Sequence, residues 1–148
     1  MKVAWFEAEK WHRDYIDTSH DIDFYEQPLQ EIEGLEDYDA VSVFVDSEVD
    51  EDFLRETGPE KVLCRSTGYD NVDTETVREL GIAVYNVPDY GSETVAEYTI
   101  ALLLESAKRL EKDLGKNPKT EGGTRGLELK GKTLGVVGAG KIGREVLR

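Results

Sequence analysis

The tightest constraint on what this chain can fold into lies at residues 133–143, Thr133-Leu-Gly-Val-Val-Gly138-Ala-Gly140-Lys-Ile-Gly143. The apolar run at 134–137 predicts a buried parallel strand, and Lys141 onward predicts the start of a helix. Between them stands G-x-G-x-x-G. Gly138 permits a tight strand-to-helix turn, Gly140 lets backbone approach a pyrophosphate, and Gly143 lets helix and strand pack closely. The same spacing also suits a glycine-rich structural turn. A dinucleotide loop of this kind needs an acidic residue about 20 positions further on to hold the ribose. Five residues follow Gly143, so the sequence is expected to begin a nucleotide domain that it does not finish.

Upstream, apolar runs alternate with amphipathic ones. Strands are predicted over 2–6, 21–25, 40–45, 61–66 and 82–87, and helices over 11–17, 48–57 and 74–80, with a short acidic connection at 30–35. Gly58-Pro59 and Gly81 supply the stops for the second and third helices. Five strands alternating with helices predict an α/β fold, a flavodoxin-like doubly wound parallel sheet whose ligands gather beyond the carboxyl ends of the strands. A long helix is expected over 92–114, with Ser92 as N-cap and Glu93 in the first turn. Its middle, Ile100-Ala-Leu-Leu-Leu104, is apolar on more than one face, which predicts cover by a nucleotide domain or by self-association through the 92–114 helix. A polar stretch at 115–131 reads as a linker or arm. The expected division is therefore a flavodoxin-like domain at 1–91, then a helix, arm and first strand-loop-helix of a Rossmann domain at 92–148.

Charge narrows the partners. The formal net charge is -14, and residues 1–60 carry 19 acidic against 4 basic side chains. Such a surface repels nucleic acid and anionic membrane; it reads as a solubilising face or as adaptation to a saline host. No run approaches the ~20 apolar residues of a membrane span, and no signal-like apolar segment opens the chain, which makes the cytoplasm the expected location. Cys64, the single cysteine, sits in an apolar run and is expected as a small buried hydrophobe. His12 and His20 have no metal-ligand spacing and are expected as surface histidines; no metal site is predicted.

Two turns should face the same cleft as the glycine loop. The first, Arg65-Ser-Thr67-Gly68-Tyr-Asp-Asn-Val-Asp73, could offer the N–H groups of Thr67 and Gly68 to a carboxylate as a backbone nest, or could be an Asx-type turn built by Asp70 and Asn71. The second is Val87-Pro-Asp-Tyr90-Gly-Ser-Glu-Thr94-Val95-Ala-Glu97. With Glu79-Leu-Gly-Ile and the stretch from Leu129 to Gly143, these motifs resemble the D-isomer-specific 2-hydroxyacid dehydrogenases, most closely the D-lactate dehydrogenase branch. The resemblance covers residues 61–148 in motifs and 1–60 in strand order.

That resemblance implies NAD-dependent interconversion of a small 2-keto acid and a D-2-hydroxy acid. It implies that the backbone of Thr67 and Gly68 holds the substrate carboxylate and that Tyr90 lines the substrate pocket. It also implies that Thr94 and Val95 lie near the cofactor, and that Gly138, Gly140, Lys141, Ile142 and Gly143 cradle the pyrophosphate. Tyr90 as a structural aromatic, and Thr94 and Val95 as ordinary first-turn residues, are the alternatives. The family's proton-donating His, its Glu partner and its substrate Arg lie beyond the glycine loop, so no catalytic residue is assigned. Neither histidine matches, nor does Arg65. The chain alone is expected to be inactive; the alternative is a non-catalytic binding module for a nucleotide or small acid.

Overall fold

The computed structural model describes residues 1–117 and 121–148. The chain divides into two compact units, Met1–Tyr90 and Gly91–Arg148. In the first, β1 (Lys2–Trp5), β2 (Asp21–Phe24), β3 (Ala40–Val43), β4 (Lys61–Cys64) and β5 (Ala83–Tyr85) form one sheet. Its order is β2-β1-β3-β4-β5, and every pairing is parallel. This is the flavodoxin-like order.

Register decides which side chains form the core. Ala4, Val41, Val62 and Val84 stand opposite one another across four strands, and the first three are fully buried. They share one apolar cluster with Leu54 of α2 (Glu51–Thr57) and Val77 of α3 (Thr74–Leu80). The next row, Trp5, Ser42, Leu63 and Tyr85, points to the other face because side chains alternate along a strand.

Both helices have chemical starts and stops. The Asp50 carboxylate accepts from Phe53 N–H and opens α2; the Asp73 carboxylate accepts from Glu75 and Thr76 N–H and opens α3. Gly58 and Gly81 close them in left-handed conformation. The first helix, α1 (His12–Tyr15), is a single turn, and the 30–35 connection contains a 3₁₀ turn at Leu29–Glu31. Cys64 is buried, as expected.

The second unit departs from expectation in three places. The long helix, α4 (Ser92–Lys108), stops six residues before Leu114. Arg109 turns left-handed there, and Leu127 N–H takes the Ala107 carbonyl at 2.6 Å, so a returning segment ends the helix. That segment needs Gly126, because a Cβ there would lie 2.7 Å from the Lys108 Cα. Ser92 is not the N-cap; Gly91 holds that position with a positive φ, and no side chain caps the helix. Residues 134–137 form no strand. Val137 is fully exposed and Leu134 about half exposed, since a parallel strand exists only where neighbours accept its ladder bonds. The arm expected at 115–131 includes residues 118–120, which lie outside the described residues. The last helix, α5 (Lys141–Val146), packs against α4.

Candidate functional site

In the first unit, polar and aromatic side chains converge at the carboxyl ends of β1, β3, β4 and β5. The chain leaves β1 at Phe6 and turns at Glu7, whose φ of 50° is left-handed. This aims the Glu7 carboxylate at the loop after β3. There Oε1 accepts from Phe44 N–H and Ser47 N–H at 3.0 Å and from the Ser47 hydroxyl at 2.5 Å, while Oε2 accepts from Asp46 N–H at 3.0 Å. Partial burial pushes the Glu7 pKa up, but the Ser47, Asp46 and Phe44 hydrogen bonds and nearby Arg65 outweigh it and hold the acid below its usual range. From the far side Asn71 donates to the Phe44 and Ser47 carbonyls at 2.9 and 2.7 Å. The β3 loop is thus gripped from both flanks.

Arg65 follows β4 and runs back over the sheet edge. Its Nη1 donates to the Ser42 carbonyl and hydroxyl at 2.9 and 3.0 Å, and its Nη2 donates to the Phe6 carbonyl at 2.6 Å. The guanidinium lies 4.4 Å from the Trp5 ring centroid and 5.8 Å from that of Phe44, a cation–π arrangement. Burial lowers its pKa to about 10, opposed by Glu7, so it stays charged at neutral pH.

Next to Arg65 stands the turn 66–73. The Ser66 hydroxyl donates to the Gly68 carbonyl at 2.7 Å, Asn86 donates to the Thr67 carbonyl at 2.8 Å, and the Thr67 hydroxyl donates to the Val87 carbonyl at 3.1 Å. Asn71 donates its amide to the β3 loop, and no hydrogen bond among the described residues has the Asp70 or Asn71 side-chain oxygen as acceptor, so neither builds the turn in the Asx manner. Among the described residues, no group accepts from the Thr67 or Gly68 backbone N–H, and both residues are exposed.

A cavity of about 480 Å³ opens beside Arg65. Trp5, Trp11, His12, Tyr15, Phe44 and Tyr90 line it. Sequence reasoning missed most of this wall. His12, expected at the surface, is half-buried, its ring 5.4 Å from Trp5 and 4.1 Å from Trp11. Its Nδ1 accepts from Glu9 N–H at 2.8 Å, and burial, with Arg65 nearby, lowers its pKa. Tyr90, the one wall residue expected, is about half exposed. The available signal for the rest was a cluster of aromatic residues just after a strand end.

The other candidates belong to the second unit. Gly138 has a φ of 100°, and a Cβ on Gly143 would overlap the Gly138 carbonyl oxygen, so both glycines are required by the chain itself. Gly140 differs: a Cβ there would meet open space, the room a pyrophosphate oxygen needs. Helix bonding in α5 begins with Arg144 N–H to the Gly140 carbonyl at 3.0 Å, which leaves the N–H groups of Ile142 and Gly143 outside the helix's own ladder. Arg144 Nε donates to the Ala139 carbonyl at 2.8 Å and steadies the loop. These residues fit a dinucleotide phosphate. Helix α4 meets α5 around Glu93, Ala96, Glu97 and Ile100; Thr94 and Val95 lie off that face and are exposed. No hydrogen bond among the described residues joins them to the glycine loop. No cluster of three metal-ligating side chains occurs among the described residues, and no helix is long and apolar enough to cross a membrane.

A flavodoxin-like unit with its polar groups at the strand ends, followed by a unit that carries a helix and a G-x-G-x-x-G turn, defines an α/β chain of two units. The family model for the D-isomer specific 2-hydroxyacid dehydrogenase catalytic domain matches residues 3–141. The chain belongs to that family. It is 32% identical to a 2-hydroxyacid dehydrogenase homolog of Schizosaccharomyces pombe, over 97% of this chain and 47% of that protein. It is 30% identical to the D-lactate dehydrogenase of Escherichia coli, over all of this chain and 49% of that protein. A D-lactate dehydrogenase of Aquifex aeolicus, solved with NAD and lactic acid, superposes with a TM-score of 0.80 at 27% identity, over 97% of this chain and 46% of that one. The chain spans about half the length of the curated relatives it matches.

Proposed function

We propose that this chain supplies the substrate-holding domain, and the opening of the NAD-binding domain, of an oxidoreductase that interconverts a 2-keto acid and a D-2-hydroxy acid. Pyruvate and D-lactate are the simplest such pair. The observation that carries the reading is the pair of exposed N–H groups at Thr67 and Gly68 that no acceptor among the described residues claims, set after β4 in a turn bonded to Val87 in the segment that leads from β5 to Tyr90. Two N–H donors there would hold a carboxylate, and Tyr90 would close one side of the substrate.

When bound, NAD would supply or accept the hydride. Gly138, Gly140, Lys141, Ile142 and Gly143 would hold its pyrophosphate, Lys141 and Ile142 through backbone N–H groups, with Thr94 and Val95 assigned to the cofactor's vicinity. Within this chain Arg65 acts by rigidity. Its bonds to the Ser42 and Phe6 carbonyls tie the ends of β1, β3 and β4 together, and the site does not need to reorganise on binding.

Arg65, Glu7 and His12 line the cavity beside this turn, but the Arg65 guanidinium donates to the Ser42 and Phe6 carbonyls, the Glu7 carboxylate accepts from the loop after β3, and His12 Nδ1 accepts from Glu9 N–H, so we assign the 148-residue chain no turnover of its own. We place the protein in the cytoplasm, with no nucleic-acid or membrane partner, and we assign self-association to the exposed side of the 92–114 segment, where Leu102, Leu104, Leu110 and Leu114 are exposed. The test is complementation. The chain with NADH and a panel of 2-keto acids should show no oxidation at 340 nm, and addition of a fragment carrying the rest of a relative's length should restore it. Turnover by the chain alone would refute the first part; silence of the complemented pair across the panel would refute the second. Sedimentation as a clean monomer would count against self-association.

A further inference from the structure

We propose that the cavity beside Arg65 is a side-chain pocket for 2-keto monocarboxylic acids with a large apolar side chain, of six carbons or more in total, in preference to pyruvate. The inference rests on the 2-keto acid reading above and adds the substrate class. A benzene molecule fills a cavity of roughly 150 Å³. The space here is about 480 Å³, within the range that takes small-molecule ligands. With its carboxylate on the Thr67 and Gly68 N–H groups, pyruvate would present one methyl group to that volume. The cavity is tied to the turn, because its wall residue Val87 accepts from the Thr67 hydroxyl and donates to the Ser66 carbonyl at 3.0 Å.

The walls are apolar and already organised. Trp5, Trp11, Tyr15, Phe44, Val87 and Tyr90 line the space; Trp11 and Tyr15 meet edge to face at 5.9 Å, and the Trp11 indole N–H donates to Glu9 at 3.0 Å. Rings held by one another lose little freedom when a ligand arrives. Polar groups on the wall oppose a second carboxylate. The Arg65 guanidinium is spent on the Ser42 and Phe6 carbonyls, His12 uses Nδ1 as an acceptor, and Glu7 and Glu9 add two acidic residues to the lining. A dicarboxylic 2-keto acid would meet like charge there. An alkyl or benzyl group would meet carbon.

Both tryptophans of the chain line the cavity, so fluorescence titration of the 148-residue protein reads this site directly. The probes are linear 2-keto acids from pyruvate to 2-oxooctanoate, with 2-oxoglutarate and 1-octanol as comparators. Affinity should tighten about fourfold per added methylene and continue to do so to eight carbons. 2-Oxoglutarate should bind more weakly than 2-oxopentanoate. Trp11→Ala, at a half-exposed position, should cut the preference for 2-oxooctanoate over 2-oxobutanoate about tenfold, the effect of roughly 50 Å² of lost apolar contact. Affinity that is flat beyond four carbons, no saturable signal for 2-oxooctanoate, or a preference untouched by Trp11→Ala would each overturn the pocket. If 1-octanol binds as tightly as 2-oxooctanoate, the carboxylate site is absent, and the proposed function falls although the apolar cavity stands.

Discussion

Replacing Glu7 by Gln isolates the interaction that holds the candidate site in shape. The two side chains have nearly the same size, so packing is unchanged and only charge and one acceptor are removed. The amide oxygen can take the place of Oε1 and keep the bonds from Phe44, Ser47 N–H and the Ser47 hydroxyl. The amide NH₂ then faces Asp46 N–H, donor against donor, in place of a 3.0 Å bond. One hydrogen bond to a charged acceptor, worth about 1.5–3 kcal/mol net, is lost, and the remaining three weaken to neutral bonds. Asp46 is exposed, so water recovers part of the loss. The net expectation is roughly 2 kcal/mol at pH 7, or about 10 °C in Tm for a unit of this size.

The pH dependence provides the sharper half of this test. The Glu7 pKa is depressed in the fold relative to 4.5, so the unfolded chain binds more protons in the acid range. Its contribution is therefore complete above the unfolded value and disappears as pH falls through the folded one. The gap between wild type and Glu7→Gln should be full at pH 6 to 7 and narrow steadily below about pH 4.5. Urea unfolding followed by tryptophan fluorescence measures this in the right place, because Trp5 and Trp11 both lie in the first unit. A gap below about 0.5 kcal/mol at pH 7, or one that does not change with pH, would refute the account.

Three other substitutions test separate parts of the structure. Trp5→Phe removes a buried indole N–H that has no partner among the described residues; stability in urea should stay level or rise by about 1 kcal/mol, and a clear loss would mean the N–H is satisfied. Gly143→Ala forces a methyl into the Gly138 carbonyl, so amide exchange in α5 should accelerate while the first unit keeps its protection. Asp50→Ala deletes the N-cap of α2 and should cost about 1 kcal/mol, recovered in large part by Asp50→Ser, with denaturant midpoints as the readout.

The alternation of five strands with helices was legible because each element advertises itself locally. Strands 40–43 (Ala-Val-Ser-Val) and 61–64 (Lys-Val-Leu-Cys) are short, mostly apolar runs; Gly58 and Gly81 stop their helices because each takes a left-handed φ that other residues adopt at a cost. The glycine loop was legible for the same reason. Where local pattern and context competed, context won. The run at 134–137 has strand composition, yet it forms no ladder among the described residues. The expected helix to Leu114 ends at Lys108 because a segment about 20 residues later takes its carbonyl.

The candidate site shows the same division. Thr67, Gly68 and Tyr90 could be named from their motifs, because a turn that exposes two N–H groups is a local structure. Glu7, Ser47 and Arg65 could not be linked in advance. Glu7 meets Ser47 across 40 residues and Arg65 reaches the Phe6 carbonyl across 59, and no periodicity in a sequence encodes contacts of that separation. Sequence alone determined the order of elements in the first unit, the stops of α2 and α3 and the turn-forming glycines of the G-x-G-x-x-G loop, since these depend on backbone preference and nearest neighbours. The tertiary structure decided which strand ends meet, how Arg65 is spent and what cavity the aromatic residues enclose, since those follow from the parallel register that brings distant loops to one edge of the sheet.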